Sequence, residues 1–537
     1  MTAANKSMPK SKHISLEQAA ALIPDEAVVT VSSSSALGCP DAMLAAIGQR
    51  FQEQSHPRNL TTIHPIAAGD MYGVKGIDHI AEPGLLKRVI AGSYPSGPSS
   101  MPSPKIWQMI HNNAVEAYNL PSGILFHMHR EAAANRPGVL TKTGWDTTVD
   151  PRHTGGRMND VTTEDIVEVV QFDGDEWLYF RAIPADVAII RGTTSDEQGN
   201  ISTEHEGAYL GALDQALAAR SNGGIVIAQV KRLTIGGVIP PQQVRIPGTL
   251  VDYVVLSPDQ TQTTQTQYEP AISGEIRRPM DSFPPVEFGV QKVIARRAAQ
   301  ELYQGETVNL GFGISAFVPY ILLEEGLHGA VTWAIEQGAV GGVPLLDFQF
   351  GCASNADAII QSPDQFTFFQ SGSFDRTMLS FMQVSGNGSV NVSRLAARPH
   401  VTAGIGGFID ITANARRIVF SGYFTAGGLK LDIKDNKLHI LQEGRVHKFV
   451  PEIEDVTFSG RRAQELKQQV VYVTERCVMQ LHDGGLIVTE IAPGIDLERD
   501  VLGQSSIPLA VSDDLRVMDA ALFDPAPLGL MLRTHDD

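Results

Sequence analysis

The 537-residue sequence repeats one order of elements, and this repetition constrains the fold more than any other feature. Near its start, a capping box at Ser15–Gln18 predicts a helix, which the strand-like run Ala27 to Val31 follows. Residues 286–310 repeat this order: apolar residues at a 3.6-residue period predict a helix, and Thr307 to Leu310 predicts a strand. In both places a loop then leads into a second helix-like segment, over residues 42–51 and 316–325.

Later segments correspond in the same way. Residues 185–202 and then 223–230 of the first half match residues 378–393 and then 416–424 of the second. Strand-like and helix-like segments alternate in each half, which is typical of parallel sheets, because parallel strands need crossover connections. The sequence therefore predicts an α/β fold of two similar halves with mainly parallel sheets and an active-site cleft between them.

A polar, proline-containing stretch over residues 257–285 separates the two repeats. It favours a division into an N-terminal half, residues 1–262, a linker, residues 263–285, and a C-terminal half, residues 286–537.

Charge and cysteine usage exclude several classes of partner. The 42 basic and 60 acidic residues give a net charge of −18, which opposes binding to nucleic acid or to an anionic membrane. Three dispersed cysteines suit a reducing compartment, and no run approaches the roughly 18 apolar residues of a membrane span. The sequence predicts a cytoplasmic protein with neither nucleic-acid nor membrane partners.

Glu336 is the leading candidate for a reactive residue. The strand-like run 331–335 delivers this carboxylate into a loop that contains Gly338, Gly341 and Gly342, which let backbone approach a bound ligand closely. A carboxylate placed in this way can act as a nucleophile. The alternative is an acid at a strand end that simply faces water.

A second glycine cluster contains Gly404, Gly406 and Gly407. Consecutive glycines after an apolar segment can present backbone N–H groups to a developing negative charge, as in an oxyanion hole. Together with a carboxylate nucleophile, this cluster favours acyl transfer.

Two other motifs suggest different chemistry. Residues 311–316 read G-x-G-x-x-A between a strand and a helix, with Glu336 about twenty residues further on, as in a nicotinamide-dependent dehydrogenase. The glycines that follow Glu336 argue against a ribose-binding acid, and a tight turn also explains the motif. His127 and His129 could share a metal ion on a strand, but no cysteine lies nearby, so packing or surface roles are favoured and no metal is expected.

Several segments together resemble the family I CoA transferases, in the single-chain acetate or propionate CoA-transferase type. The resemblance covers nearly the whole chain and is carried by residues 116–123, 136–144, 185–202, 336–344, 388–395, 404–411, 424–430 and 489–500. It implies two halves of a shared α/β fold, assembly into a homodimer or homotetramer, and attack on acyl-CoA by the glutamate that matches Glu336.

The resemblance also implies a chemistry. Acyl-CoA and a carboxylic acid are the substrates, no cofactor is bound permanently, and coenzyme A forms a covalent glutamyl-CoA intermediate at Glu336. The backbone around Gly406 and Gly407 would stabilise the oxyanions, and Asn391 would orient the glutamate or shape a turn. Expected CoA-binding positions are Gly338, Gly341, Gly342 and Gly404.

The resemblance implies that the N-terminal half forms the acyl-pocket side of the cleft, and there the chain departs from the family pattern. Ser32, Ser33 and Ser34, shortly before Gly38, replace glycine-glycine-phenylalanine, and Ser122 replaces a glutamine. These changes remove bulk and add hydroxyl groups, so we expect an acyl group larger or more polar than acetate. An acyl-CoA hydrolase on the same scaffold, a dehydrogenase and a non-catalytic CoA-binding protein stay open as alternatives.

Overall fold

A computed structural model describes residues 12–534 of the chain. The first half begins with the capping box predicted at Ser15–Gln18. Its α-helices are α1 (Leu16–Ala20), α2 (Asp41–Gln54), α3 (Lys105–His111), α4 (Ser122–Ala133) and α5 (Ala212–Ser221). Its strands are β1 (Val28–Val31), β2 (Leu60–His64), β3 (Leu86–Ala91), β4 (Glu116–Asn119), β5 (Gly138–Thr141), β6 (Val167–Phe172), β7 (Asp175–Arg181), β8 (Val187–Ser195), β9 (Ile201–Ser202), β10 (Ile225–Leu233), β11 (Val244–Ile246) and β12 (Tyr253–Leu256).

The second half follows a short helix in the connecting segment. The helices from this point are α6 (Pro270–Ser273), α7 (Val290–Ala299), α8 (Val318–Glu324), α9 (Ser362–Gln370), α10 (Phe408–Thr412) and α11 (Gly460–Glu465). The strands are β13 (Thr307–Leu310), β14 (Thr332–Ala334), β15 (Ala339–Val340), β16 (Val343–Pro344), β17 (Ala353–Ser354), β18 (Ala358–Ile359), β19 (Arg376–Ser380), β20 (Gln383–Val384), β21 (Val390–Asn391), β22 (Arg417–Ser421), β23 (Thr425–Ala426), β24 (Lys430–Lys434), β25 (Lys437–Gln442), β26 (Val446–His447), β27 (Gln469–Val473), β28 (Cys477–His482), β29 (Gly485–Ile491) and β30 (Ala510–Val517).

The two main sheets share one strand order. In the first half, parallel strands run in the order β2-β1-β8-β10-β12. In the second half, parallel strands run in the order β14-β13-β19-β22-β27. The corresponding segments of the sequence occupy corresponding strands, so the predicted α/β fold of two similar halves with mainly parallel sheets is confirmed.

Each half also adds strands that its counterpart lacks. β3 and β4 extend the first sheet beyond β2, whereas antiparallel β28 and β29, followed by β30, extend the second beyond β27. A separate antiparallel sheet, β5-β7-β6, lies in the first half. The hairpins β6-β7 and β28-β29 need no crossover helix and leave no alternating strand–helix pattern in the sequence, whereas β3 and β4 join the first sheet in parallel.

Buried residues join the halves to each other. One core cluster combines Ile63 and Leu120 of the first half with Ile405 and Ile409 of the second. The connecting segment packs too, because Ile272 of α6 lies in a small core with residues of the second half. The exact division at residues 262 and 286 stays a prediction. Within residues 12–534, no helix is long and apolar enough to cross a membrane.

Candidate active site

Glu336 lies at the carboxyl end of β14, where the sequence places it. β14 pairs in parallel with β13, and the Asn309 side-chain amide donates to the Ala334 carbonyl at 3.1 Å, which fixes the end of the strand. The next side chain, Gln337, donates to Glu336 Oε1 and to Ser34 Oγ of the first half, each at 3.2 Å. The glutamate is therefore held at the boundary between the two halves.

Burial controls the charge of Glu336. It raises the pKa of this carboxyl to about 7, against the lowering effect of hydrogen bonds from the Gly407 N–H and the Gln337 amide. Within residues 12–534, no lysine, arginine or histidine forms a salt bridge with it. A poorly solvated carboxylate that is not neutralised by a cation keeps its nucleophilic electron pairs available, as covalent catalysis requires.

The turn of residues 404–407 lies against Glu336, and the first half holds it there. The Ile405 N–H donates to Asn119 Oδ1 at 2.8 Å, and the Ser122 N–H donates to the Gly406 carbonyl at 2.9 Å. The Gly406 N–H donates to the Gly92 carbonyl at 2.6 Å. Three hydrogen bonds thus fix a turn of one half to the backbone and side chains of the other.

Two of these glycines have no room for a side chain. Gly404 has a φ of +97°, and a Cβ there would lie 2.6 Å from the Asn119 Oδ1. A Cβ on Gly407 would lie 2.5 Å from Glu336 Oε2 and 2.7 Å from the Phe366 ring. Glycine at position 407 is what allows the backbone to approach the carboxylate closely.

The two predicted oxyanion donors, Gly406 and Gly407, have different hydrogen-bond partners. The Gly407 N–H donates a hydrogen bond to the Glu336 carboxylate. The prediction for Gly406 needs correction, because its N–H is already bound to the Gly92 carbonyl and its own carbonyl accepts from Ser122. Gly406 holds the turn in place, and Gly407 stays a predicted donor.

Asn391 is hydrogen-bonded to residues other than Glu336. It is buried at the end of β21, where its amide group donates to Gln383 Oε1 and to the Arg394 carbonyl, both at 2.7 Å. Its Oδ1 accepts from the backbone of Ser393 and Arg394. Because these contacts satisfy both ends of the amide, the turn role fits the structure and orientation of Glu336 does not.

The glycines that follow Glu336 shape its loop. Gly338, Gly341 and Gly342 all have positive φ, and a Cβ on each would come within 2.3 Å of Ile360, Asp357 or Ser354. These three glycines are not among the residues that line the cleft. Close packing inside the loop therefore explains them, and contact with CoA at these positions stays a prediction.

The predicted acyl-pocket residues divide into two groups. Ser34 lines the cleft and contacts Gln337, whereas Ser32, Ser33 and Gly38 are buried just outside it. Ser122 is also buried, beside Gly92 at the start of α4, and its Oγ has no hydrogen-bond partner among the described residues. Only Ser34 of this set directly faces the space in front of Glu336.

The cleft itself has a volume of about 510 Å³ and is lined by both halves. Aromatic side chains lie along it: Tyr72 contacts Phe348 edge-on at 4.7 Å between ring centroids, and Phe312 contacts Phe350 at 5.3 Å. Phe312 is 64% exposed. The sequence analysis missed these residues, because isolated aromatic residues in loops carry no periodic signal.

The histidine pair lies on α4 and not on a strand. His129 contacts Thr30 Oγ1 at 2.8 Å and the Leu125 carbonyl at 2.7 Å, so both ring nitrogens are used in packing. His127 lies near Thr367 of α9, at 3.1 Å. In the described part of the chain, no group of three or more His, Cys, Asp or Glu side chains could hold a metal ion.

Comparison with known proteins gives the family. A coenzyme A transferase model matches residues 13–257. The chain is 41% identical over 518 residues to the caffeate CoA-transferase of Acetobacterium woodii, covering 96% of this chain and 97% of that protein. It is 39% identical over 522 residues to the acetate CoA-transferase YdiF of Escherichia coli strain K12, covering 97% and 96%. The chain belongs to the coenzyme A transferase family, which confirms the resemblance found in the sequence.

Solved structures agree with this assignment. The apoenzyme of the acyl-CoA transferase YdiF from Escherichia coli O157:H7 superposes with a TM-score of 0.90 at 37% identity, covering 98% of both chains. A thioester complex of the same enzyme with CoA gives a TM-score of 0.89 over the same coverage. The chain is therefore a CoA-transferase, and no dinucleotide need be invoked for the glycines at residues 311–313.

Proposed function

We propose that this CoA-transferase moves CoA from an acyl-CoA to a free carboxylate by a ping-pong reaction through Glu336. The observation that carries the proposal is the Glu336 carboxylate, which lines the cleft, has no salt-bridge partner among residues 12–534, and has a pKa raised by burial to about 7. The Gly407 N–H beside it supplies a donor for the charge that develops during attack.

The first half-reaction has two steps. A Glu336 oxygen attacks the thioester carbonyl, the C–S bond breaks, and an acyl-glutamyl anhydride and CoA thiolate form. The thiolate then attacks the glutamyl carbonyl, which releases the donor carboxylate and leaves a glutamyl-CoA thioester. No proton is consumed in either step, so the site needs no general acid or base.

The acceptor carboxylate reverses these steps. It attacks the glutamyl-CoA thioester to give a new anhydride and CoA thiolate, and the thiolate then attacks the acyl carbonyl and frees Glu336. One activated acyl bond is exchanged for another throughout, which is why neither ATP nor a metal ion is required. In this proposal the Gly407 N–H, which bonds to Glu336, donates to each oxyanion as it forms.

We also propose that the preferred acyl group is larger or more polar than acetate. Ser34 places a hydroxyl in the cleft where the family pattern has a phenylalanine, and the cleft of about 510 Å³ exceeds the needs of a two-carbon acid. The two similar proteins are named for caffeate and for acetate, so the family accommodates acids of very different size. We propose in addition that the protein is cytoplasmic and assembles as a homodimer or homotetramer.

The test is a matrix of acyl-CoA donors against isotopically labelled carboxylates, with acyl-CoA products separated by mass. Transfer predicts labelled acyl-CoA in proportion to donor consumed, and Glu336→Ala is the matched control. Release of free CoA without labelled product would show the hydrolase instead. No consumption of any donor would contradict both.

A further inference from the structure

Asp410 is a buried carboxylate that the proposed reaction does not use. It lies on α10, three residues after Gly407, and is fully buried. Its Oδ1 accepts from the Gln370 amide of α9 at 2.7 Å, and its Oδ2 accepts from the Gly123 N–H at 2.8 Å. The second contact crosses from one half of the molecule to the other.

This contact caps the first turn of α4. The opening N–H groups of a helix have no partner within it, and its N-terminus carries partial positive charge. Pro121, the residue before α4, provides no side-chain cap, whereas Asp410 accepts from Gly123 and Ile124. A side chain of the second half therefore supplies the cap that the first half lacks.

The packing at this contact is close. A Cβ on Gly123 would lie 2.7 Å from Asp410 Oδ1 and 2.9 Å from Phe366. The same Phe366 ring limits the space at Gly407, beside Glu336. The Phe366 ring and the Ser122–Gly406 hydrogen bond therefore connect α4 with the Gly407 turn.

We propose that Asp410 is a positioning residue, which docks the 404–407 turn onto α4 and so sets the Gly407 N–H against Glu336. The inference rests on the proposed role of Glu336 as nucleophile. Asp410 touches no reacting atom. Its role is to keep the oxyanion donor at hydrogen-bond distance, where a displacement of about 1 Å costs about 100-fold in rate.

The charge of Asp410 also bears on the site. Burial raises the pKa of Asp410 to about 7, and the negative charge of Glu336 adds to the rise. The groups that face it are the Gln370 amide of α9, the Gly123 and Ile124 N–H groups of α4, and Glu336. Two buried carboxylates that repel each other titrate as a coupled pair, so neutralising one eases ionisation of the other.

Asp410→Asn provides the test. We expect kcat for transfer to fall about 10- to 100-fold with KM for acyl-CoA changed less than about threefold, because a displaced oxyanion donor affects the transition state. The pH midpoint of kcat should move to lower pH, since a negative neighbour of Glu336 is lost. That shift reports the charge of Asp410, whereas the split between kcat and KM reports its positioning role.

The matched control is Asp214→Asn. Asp214 is also a buried carboxylate that contacts α4, through Arg130 at 2.8 Å, but it has no contact with the turn. We expect its kcat and pH midpoint to equal those of the wild type. Equal losses in both variants would overturn the proposal, as would wild-type kcat and pH midpoint in Asp410→Asn.

Gln370→Leu decides the matter if Asp410→Asn does not fold. It removes the hydrogen bond to Asp410 Oδ1 and leaves the Gly123 contact. A kcat reduced by about threefold or more, with KM unchanged, supports the proposal, and wild-type kcat overturns it. Adduct formation distinguishes failure of the two proposals. If the wild-type protein forms no CoA adduct, the nucleophile proposal for Glu336 fails. If Asp410→Asn forms the adduct as fast as the wild type, only the positioning proposal fails.

Discussion

The carboxyl ends of β2 and β14 occupy the same place in the two halves, yet they carry different chemistry. Thr30 of β1 pairs with Ile63, and Asn309 of β13 pairs with Ala334. Counting two residues onward from each, Pro65 of the first half takes the place of Glu336 in the second. One strand order therefore supports the proposed nucleophile in one half and a residue without a reactive group in the other.

The charge states of the two strand ends differ as well. His64 ends β2, and burial lowers its pKa to about 3, so it is neutral at physiological pH. Burial acts on Glu336 in the opposite direction and brings the pKa to about 7, where the group can still ionise. The first half thus contributes neutral hydrogen-bonding groups, among them Asn119 and the Gly92 carbonyl, and the second half contributes the reacting charge.

The largest expected effect comes from removing the carboxylate at the end of β14, so that neither strand end carries a reactive group. Glu336→Gln keeps the shape of the side chain and removes the nucleophile, so we expect transfer to fall by about four orders of magnitude or more. Steady-state transfer assays measure it, with circular dichroism as a check on folding. A variant that kept even a tenth of wild-type turnover would contradict the role of Glu336.

A smaller loss should follow from a methyl group on the turn. A Cβ on Gly407 would lie 2.5 Å from Glu336 Oε2, so Gly407→Ala must displace either the N–H donor or the carboxylate. One lost oxyanion donor costs about 100- to 1,000-fold in kcat. If Gly407→Ala raised only the Michaelis constant and left turnover intact, the turn would serve binding and not the transition state.

The pH dependence sharpens the contrast between His64 and Glu336. The nucleophile is the ionised form of Glu336, so activity should be low in acid and rise as pH increases through about 7, where burial places the pKa. His64 stays neutral above about pH 3 and should add no step to that profile. A profile flat from pH 5 to 8 would contradict a pKa raised into this range.

The smallest expected effect lies in substrate choice. Ser34→Phe restores the aromatic residue of the family pattern on the first half's side of the cleft, so the ratio of kcat/KM for bulky acids to that for acetate should fall about tenfold. Ser33→Phe, at the buried neighbouring position, controls for general disturbance. Acetate or propionate outperforming every larger acid in the wild type, with a ranking unchanged in Ser34→Phe, would remove the pocket argument.

The repeated order of elements was enough to predict the two α/β halves, because a crossover helix between parallel strands leaves a pattern in the sequence. Glu336 and Gly407 were paired from local signals, a carboxylate at a strand end and a glycine cluster, and the structure brings the two residues into contact. The resemblance to CoA transferases supplied what the pattern alone left open, namely the reaction.

Contacts between distant residues were not predictable in this way. The hydrogen bond from Gly406 to Gly92 joins residues more than 300 positions apart, and nothing near either glycine signals it. Asp410 looked like an ordinary helix residue until α4 of the other half was placed against it. The partners of Asn391, Gln383 and Arg394, are by contrast close to it in the sequence, but no periodic signal indicates that its amide bonds to them.

The central claim is that one carboxylate, at the end of one of two matching strands, becomes covalently bound to CoA. Incubation with an acyl-CoA and no acceptor, followed by proteolysis and mass spectrometry, tests it directly. The account predicts that the peptide containing Glu336 gains the mass of CoA less water, and that the adduct disappears when a carboxylate is added. An unmodified Glu336 peptide during turnover, or an adduct on any other residue, would contradict it.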